Sequence, residues 1–232
     1  MTLGKDKADI KIAYIGGGSR GWAWNFMSDL AGEKQLSGTV SLYDIDFPAA
    51  KENEHIGNGL KEYAPEADNF RYEAVRTIEE ALRGADFVII SILPGTFDEM
   101  ESDVHAPEKY GIYQSVGDTV GPAGILRGLR TIPMFEGFAH AIRDNCPDAW
   151  VINYTNPMTM CVRAMYKAFP QIKAFGCCHE VFGTQHLLAD MVKKELGIEG
   201  VSRHDIKVNV VGINHFTWLT KAYYKNVDLL PV

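Results

Sequence analysis

Short runs of β-branched and aliphatic residues alternate along the chain with longer segments of helical spacing. The runs are KIAYIG (11–16), TVSLYD (39–44), DFVIIS (86–91), AWVINY (149–154), IKAFG (172–176) and IKVNVVG (206–212). Each is brief, mostly apolar and followed by turn-forming residues, which predicts buried strands. Between them, residues 19–31, 48–63, 77–83, 124–144, 157–168 and 181–196 repeat apolar positions every three or four residues and predict helices. Within 124–144 that spacing selects Leu126, Leu129, Ile132, Met134 and Phe138 as one stripe, read as core packing. Strand and helix alternating in this way predict an α/β fold, a Rossmann-like doubly wound parallel sheet. The pattern breaks at GIEGVSRHD (197–205) and a new strand follows. The expected organisation is therefore a Rossmann-like nucleotide-binding unit over 1–198 and the beginning of a second, cut-short α/β domain over 199–232.

Composition narrows the partners. A chain of 232 residues, 46% hydrophobic, can bury a full core. Its net charge of −7 argues against a nucleic-acid partner, which selects basic surfaces, and favours small molecules. The N-terminal MTLGKDKADIKIAYIGGG lacks the long apolar core and small-residue cleavage site of a secretion signal, and no apolar stretch is long enough to span a bilayer. The expected setting is cytoplasmic, without a membrane partner. Thiols stay reduced there, so clustered Cys and His point to metal or catalysis rather than to a disulfide.

Gly16-Gly17-Gly18-Ser19-Arg20-Gly21 fits G-x-G-x-x-G directly after the first strand and before the first helix. Glycine is needed at the tight turn, where the backbone meets a pyrophosphate, and where helix packs on strand; the helix amides then face the phosphates. Gly16, Gly18, Ser19, Arg20 and Gly21 are the candidate phosphate cradle. Asp44, closing the second run about twenty residues on, is placed to accept from ribose hydroxyls and to repel a 2′-phosphate, which favours NAD over NADP. Asp46 competes for that role. Ligands of open α/β sheets bind beyond the carboxyl ends of the strands. Ile92-Leu93-Pro94-Gly95 follows one strand there and Asn153-Tyr154-Thr155-Asn156-Pro157 another, making Leu93, Pro94, Asn153 and Asn156 further cofactor candidates. The two asparagines suit a nicotinamide carboxamide or substrate hydroxyls, or equally a turn capping the helix after Pro157.

GCCHE (176–180) ends the strand IKAFG at the same edge, and Asn214 and His215 follow the strand IKVNVVG. A thiolate and an imidazole from two strand ends can hold a divalent cation and leave positions open for substrate. Two protein ligands would be too few for a closed structural zinc site. The alternative is inert packing of a buried cysteine and a hydrogen-bonded core histidine.

Taken together, GGGSRG (16–21), GDTVGPAG (117–124), NYTNPM (153–158), CCHE (177–180) and GINHFTW (212–218) resemble glycoside hydrolase family 4, the NAD- and manganese-dependent glycosidases. The resemblance covers nearly the whole chain. It implies an elimination route instead of paired-carboxylate hydrolysis. NAD+ takes hydride from C3 of the sugar, a base removes the acidified C2 proton, the aglycone leaves, water adds and the hydride returns. Carried over by position, Cys178 and His215 hold Mn2+ or another divalent ion. Asp118, Thr119, Asn156 and Asn214 lie on the substrate side, and His179 serves as general acid or as a hydrogen-bonding partner of the sugar. Ala123 departs from the family's usual glycine, which matters only if that position needs positive φ.

Phospho-specific members carry Asp or Asn after the metal cysteine and an Arg in the loop after the fourth strand. Here His179 follows Cys178 and residues 92–100 contain no Arg. The resemblance thus implies an unphosphorylated glycoside, closest to the α-galacturonidase branch, with α-galactosidase and α-glucosidase members as near alternatives. Family members carry their catalytic base in a further domain and form homo-oligomers, so these 232 residues alone are expected to bind NAD without turnover. Two competing readings are a lactate- or malate-type 2-hydroxyacid dehydrogenase, whose His-Gly-Asp motif is missing here, and a non-catalytic NAD-binding fragment.

Overall fold

Residues 8–64 and 67–231 are described by a computed structural model. Its main sheet comprises β1 (Ala8–Ile15), β2 (Leu36–Tyr43), β3 (Phe70–Val75), β4 (Phe87–Ile90), β5 (Trp150–Asn153) and β6 (Lys173–Gly176). All neighbours are parallel, in the order β3-β2-β1-β4-β5-β6. The central strands read as unbroken apolar runs because helices cover both faces. On one face Ala13, Ile15, Val88, Ile90 and Val151 join Phe135, Ile142 and Met165. On the other Ile12, Tyr14, Val40, Leu42 and Ile89 join Ala23, Met27 and Ala50. The order reverses between β1 and β4, which opens the ligand crevice of such sheets at their carboxyl ends.

The helices are α1 (Trp22–Ala31), α2 (Phe47–Gly59), α3 (Ile78–Leu82), α4 (Phe97–His105), α5 (Gly121–Asn145), α6 (Met158–Ala168) and α7 (Glu180–Leu196). Several start where local chemistry dictates. Thr77 and Thr96 cap α3 and α4, with Glu80 and Glu99 reaching back in capping boxes. Asp46 caps α2 by accepting from the Ala49 N–H.

Three features depart from the sequence reading. First, β3 was absent from it, because FRYEAV is a sheet-edge strand whose Arg71 points to solvent. Second, residues 97–105 form α4, a mostly polar helix with only Asp103 and Val104 buried. Third, the stripe assigned to α5 is only in part its core-facing side: Ile132 and Phe138 pack, partly buried, on the core. Leu126 and Leu129 are 41% and 67% exposed, and the helix instead buries Ala123, Gly124, Arg127, Gly128, Thr131, Phe135 and Ala139. The cause is close approach: a Cβ on Gly128 would lie 2.4 Å from the Met160 sulfur of α6, so the contact face is built from small residues.

A second, antiparallel sheet follows, β7 (Ile206–Ile213), β8 (Phe216–Tyr224) and β9 (Val227–Asp228). Ala189 and Val192 of α7 pack on its Ile206, Ala222 and Tyr224 and on Leu229. The four cysteines are all free thiols. Among the described residues no helix is long and apolar enough to cross a membrane.

Candidate active site

The glycine-rich turn is wound tightly against its neighbours. Gly16 sits at φ +95°, and a Cβ there would lie 2.0 Å from the Ser91 carbonyl oxygen. Only glycine allows β1 to end this close to β4. The N–H groups of Gly16 and Gly17 both donate to the Tyr43 carbonyl. Asp44 binds the same turn: one carboxylate oxygen accepts from the Gly18 N–H at 2.9 Å and the other from the Asp46 N–H. Each oxygen keeps a lone pair for a ribose hydroxyl. Asp46, the competitor, is committed to its capping role. Gly21 has open space around it, Arg20 is exposed, and the Ser19 hydroxyl accepts from the Trp22 N–H.

Sequence reasoning missed the residue that fixes this turn. Asn53 of α2 is buried, donates to the Gly17 and Ser19 carbonyls at 2.7 and 3.0 Å, and accepts from the Trp24 indole N–H at 2.7 Å. It ties the turn to both flanking helices. The signal lay in an asparagine on an otherwise apolar helix face, beside Ala50 and Gly57.

Beyond β4 and β5 the two edge loops are joined: the Thr155 hydroxyl accepts from the Ile92 N–H at 2.9 Å. Leu93 is exposed while Pro94 is buried, its carbonyl accepting from Arg130. Asn153 corrects an expectation. It is fully buried, its amide donating to the Thr155 carbonyl and its oxygen accepting from the Thr155 N–H, so it shapes the turn instead of facing a ligand. Asn156 is less buried and donates to Asp118 at 3.4 Å. Asp118 is held from the other side by the nearly buried Arg127, at 2.6 Å. Thr119 occupies the left-handed region at φ +69°, which costs a β-branched residue about 1–2 kcal/mol. Among the described residues its hydroxyl is buried without a partner, as is the Arg127 Nε. Ala123 lies inside α5 and is not among the residues with positive φ, so its methyl group is tolerated.

At the ends of β6 and β7 the Cys178 sulfur lies 3.4 Å from His215 Nε2. Two donors each about 2.0–2.3 Å from one ion sit about 3–3.6 Å apart when they occupy adjacent positions, so this pair fits a shared divalent cation. Among the described residues no third His, Cys, Asp or Glu completes a ligand cluster, so coordination positions stay open. The Glu180 N–H, at the start of α7, donates to the Cys178 sulfur. The Glu180 carboxylate reaches the β7–β8 turn: one oxygen accepts from the His215 N–H at 3.0 Å and from the Asn214 amide at 3.5 Å, the other from the Thr217 hydroxyl at 2.9 Å. Asn214 is buried, its own oxygen unpartnered among the described residues. Cys177, by contrast, turns toward Tyr154, and burial raises its thiol pKa above the ordinary value.

His179 is exposed, its ring 6.5 Å from that of Trp22. Trp22 also packs at 5.4 Å against Tyr154, so the first residue of α1 bridges the glycine turn and the cysteine segment. Two concavities of about 420 and 490 Å³ lie elsewhere, at the amino-terminal edge of the sheet around Gly38 and Phe70 and around Phe87 and Ala149. They contain none of the candidate site residues.

The arrangement has counterparts. The model for family 4 glycosyl hydrolases matches residues 11–194. The α-galacturonidase of Thermoanaerobacterium saccharolyticum is 69% identical over 224 residues, covering 97% of this chain and 48% of that protein. The crystal structure of lplD from Bacillus subtilis superimposes with a TM-score of 0.89 at 64% identity, covering 96% of this chain and 50% of that one. The 6-phospho-beta glucosidase of Thermotoga maritima, solved with manganese, NAD+ and glucose-6-phosphate, gives 0.77 at 25% identity, covering 95% and 50%. The chain spans about half the length of the relatives it matches. It belongs to family 4 of the glycosyl hydrolases.

Proposed function

We propose that the protein hydrolyses unphosphorylated α-galacturonides, using NAD and a divalent metal ion held by this chain. The observation that carries the reading is the Cys178–His215 pair, 3.4 Å apart, at the same sheet edge as the glycine turn. A dehydrogenase of lactate or malate type has no use for such a pair. The sugar reading is supported by the α-galacturonidases of 63–69% identity and, through the family resemblance, by His179 at the position after Cys178.

Bound NAD+ would supply a reversible hydride acceptor, and a divalent ion, manganese by analogy with the Thermotoga enzyme, would supply positive charge to polarise substrate oxygens. The residues of this chain then have distinct tasks. Gly16, Gly18, Ser19, Arg20 and Gly21 receive the pyrophosphate, with Asp44 accepting from ribose hydroxyls and Leu93 and Pro94 flanking the nicotinamide end. Cys178 and His215 hold the ion. Asn156 and Asp118, already hydrogen-bonded to each other, orient the sugar hydroxyls, and the unpartnered Thr119 hydroxyl and Asn214 oxygen offer further sites. His179, exposed at the start of α7, donates a proton or hydrogen bond at the glycosidic oxygen.

A substrate panel tests the reading. Full-length protein, assayed with NAD+ and Mn2+ under reducing conditions, should cleave α-D-galacturonides at least about 100-fold more efficiently than α-galactosides, α-glucosides or their 6-phosphates. A preference for any of those three overturns it.

A further inference from the structure

We infer that Glu180 is a positioning residue for metal binding, acting through the backbone of His215 rather than on the ion itself. The inference rests on the metal reading of the Cys178–His215 pair. His215 stands at the turn between β7 and β8 with φ +62°, in the left-handed region that few residues other than glycine occupy. That backbone decides where the imidazole points. The support visible in the structure is one side chain: Glu180 accepts from the His215 N–H, from the Asn214 amide and from the Thr217 hydroxyl, tying the turn to the start of β8.

The chemistry of the three partners selects a carboxylate. All of them donate, and an ionised carboxylate accepts at both oxygens. Glu180 is also two residues from Cys178, and its own N–H donates to the Cys178 sulfur. One residue therefore sets the sulfur by its main chain and the imidazole by its side chain. Helix α7 packs on the β7–β8 hairpin through Ala189 and Val192 at the Ile206–Tyr224 end of its strands, so at the turn itself Glu180 is the link between the two ligand-bearing segments. Among the described residues the Nδ1 of His215 is buried without a partner, so the ring's side-chain contact is the one its Nε2 makes with the Cys178 sulfur, the other proposed ligand. Orientation falls to the backbone, and hence to Glu180.

Co2+ as a spectroscopic stand-in for the metal provides the test, in wild type, E180A and E180Q, following affinity and the thiolate-to-cobalt absorption band, with NAD+ affinity as the control for fold. E180A should weaken Co2+ at least tenfold and diminish the band, with NAD+ affinity unchanged. E180Q should stay within about threefold of wild type, because its carbonyl can take the His215 and Asn214 contacts while its amide donates to the Thr217 hydroxyl. Wild-type affinity and band in E180A overturn the inference. Equal losses in E180Q and E180A also overturn it, since they would mean that Glu180 acts through its charge. Should E180A lose its fold, T217V replaces it, with an expected two- to fivefold loss of Co2+ affinity and an unchanged value as the refuting result. Absence of Co2+ binding in wild type would refute the metal reading of the pair, a distinct failure.

Discussion

Asn53 offers the sharpest check on how the cofactor turn is held. In N53A the Gly17 carbonyl loses a buried donor at 2.7 Å, and the Ser19 carbonyl and Trp24 indole lose partners at 3.0 and 2.7 Å. Leaving one buried polar group unsatisfied costs about 1–3 kcal/mol, and each partly accessible one about 1 kcal/mol or less, since water can replace it. The expected loss is about 2–4 kcal/mol, which for a chain of this size lowers Tm by about 5–15 °C. N53D should be worse, although it is closer in shape. Its carboxylate can still accept from Trp24 but faces two carbonyl oxygens that need donors, adding repulsion to the lost bonds. Thermal unfolding, followed by NAD+ titration of each folded variant, should give the order wild type, N53A, N53D in both stability and affinity. If N53D matches or exceeds N53A, the assigned direction of these hydrogen bonds is wrong.

The glycines of the turn should separate by role. G16A places a Cβ 2.0 Å from the Ser91 oxygen at φ +95° and is expected to destabilise by more than about 3 kcal/mol, whereas G21A meets open space and should change stability by less than about 1 kcal/mol while weakening NAD+ binding; chemical denaturation and NAD+ titration distinguish the two. C178S should abolish Mn2+ binding measured by electron paramagnetic resonance and leave NAD+ affinity within about twofold, because the sulfur faces His215 and not the glycine turn. Stability should fall in alkali. Burial pushes the thiol of Cys146 up to about 11 and that of Cys161 up to about 12, and the Tyr14 hydroxyl up to about 12. Above about pH 9 the unfolded chain releases protons that the fold retains, so the denaturation midpoint should decline progressively from pH 9 to 11 and hold steady from 7 to 8.5. A flat profile to pH 11 would contradict the burial of these groups.

What the sequence revealed follows from which residues act alone. The turn at Gly16 to Gly21 and the closeness of Cys178 and His215 were legible because each is tied to a residue type and a strand end. The sheet was legible wherever both faces are covered, as in β1 and β4, and failed at β3, whose pattern is that of a solvent-facing edge. The buried face of α5 was assigned only in part, with Ile132 and Phe138 on the core, because apolar spacing marks a helix but not which side meets its neighbour. There Gly128 against Met160 outweighs Leu126 and Leu129. Asn53, Glu180 and Arg127 were not assigned roles, since their effect lies in long-range hydrogen bonds, to Gly17, to His215 and to Asp118. Asn153 shows the converse: a polar residue at the ligand edge whose hydrogen-bonding capacity is spent on its own turn.

The central claim, glycoside cleavage by proton abstraction at C2 with NAD and a metal, is most directly tested by isotope incorporation. Full-length protein incubated in D2O with an α-D-galacturonide, NAD+ and Mn2+ under reducing conditions should release galacturonate carrying deuterium at C2, with no net NADH and no release once the metal is chelated. Metal-independent accumulation of NADH, or product without deuterium at C2, would contradict it.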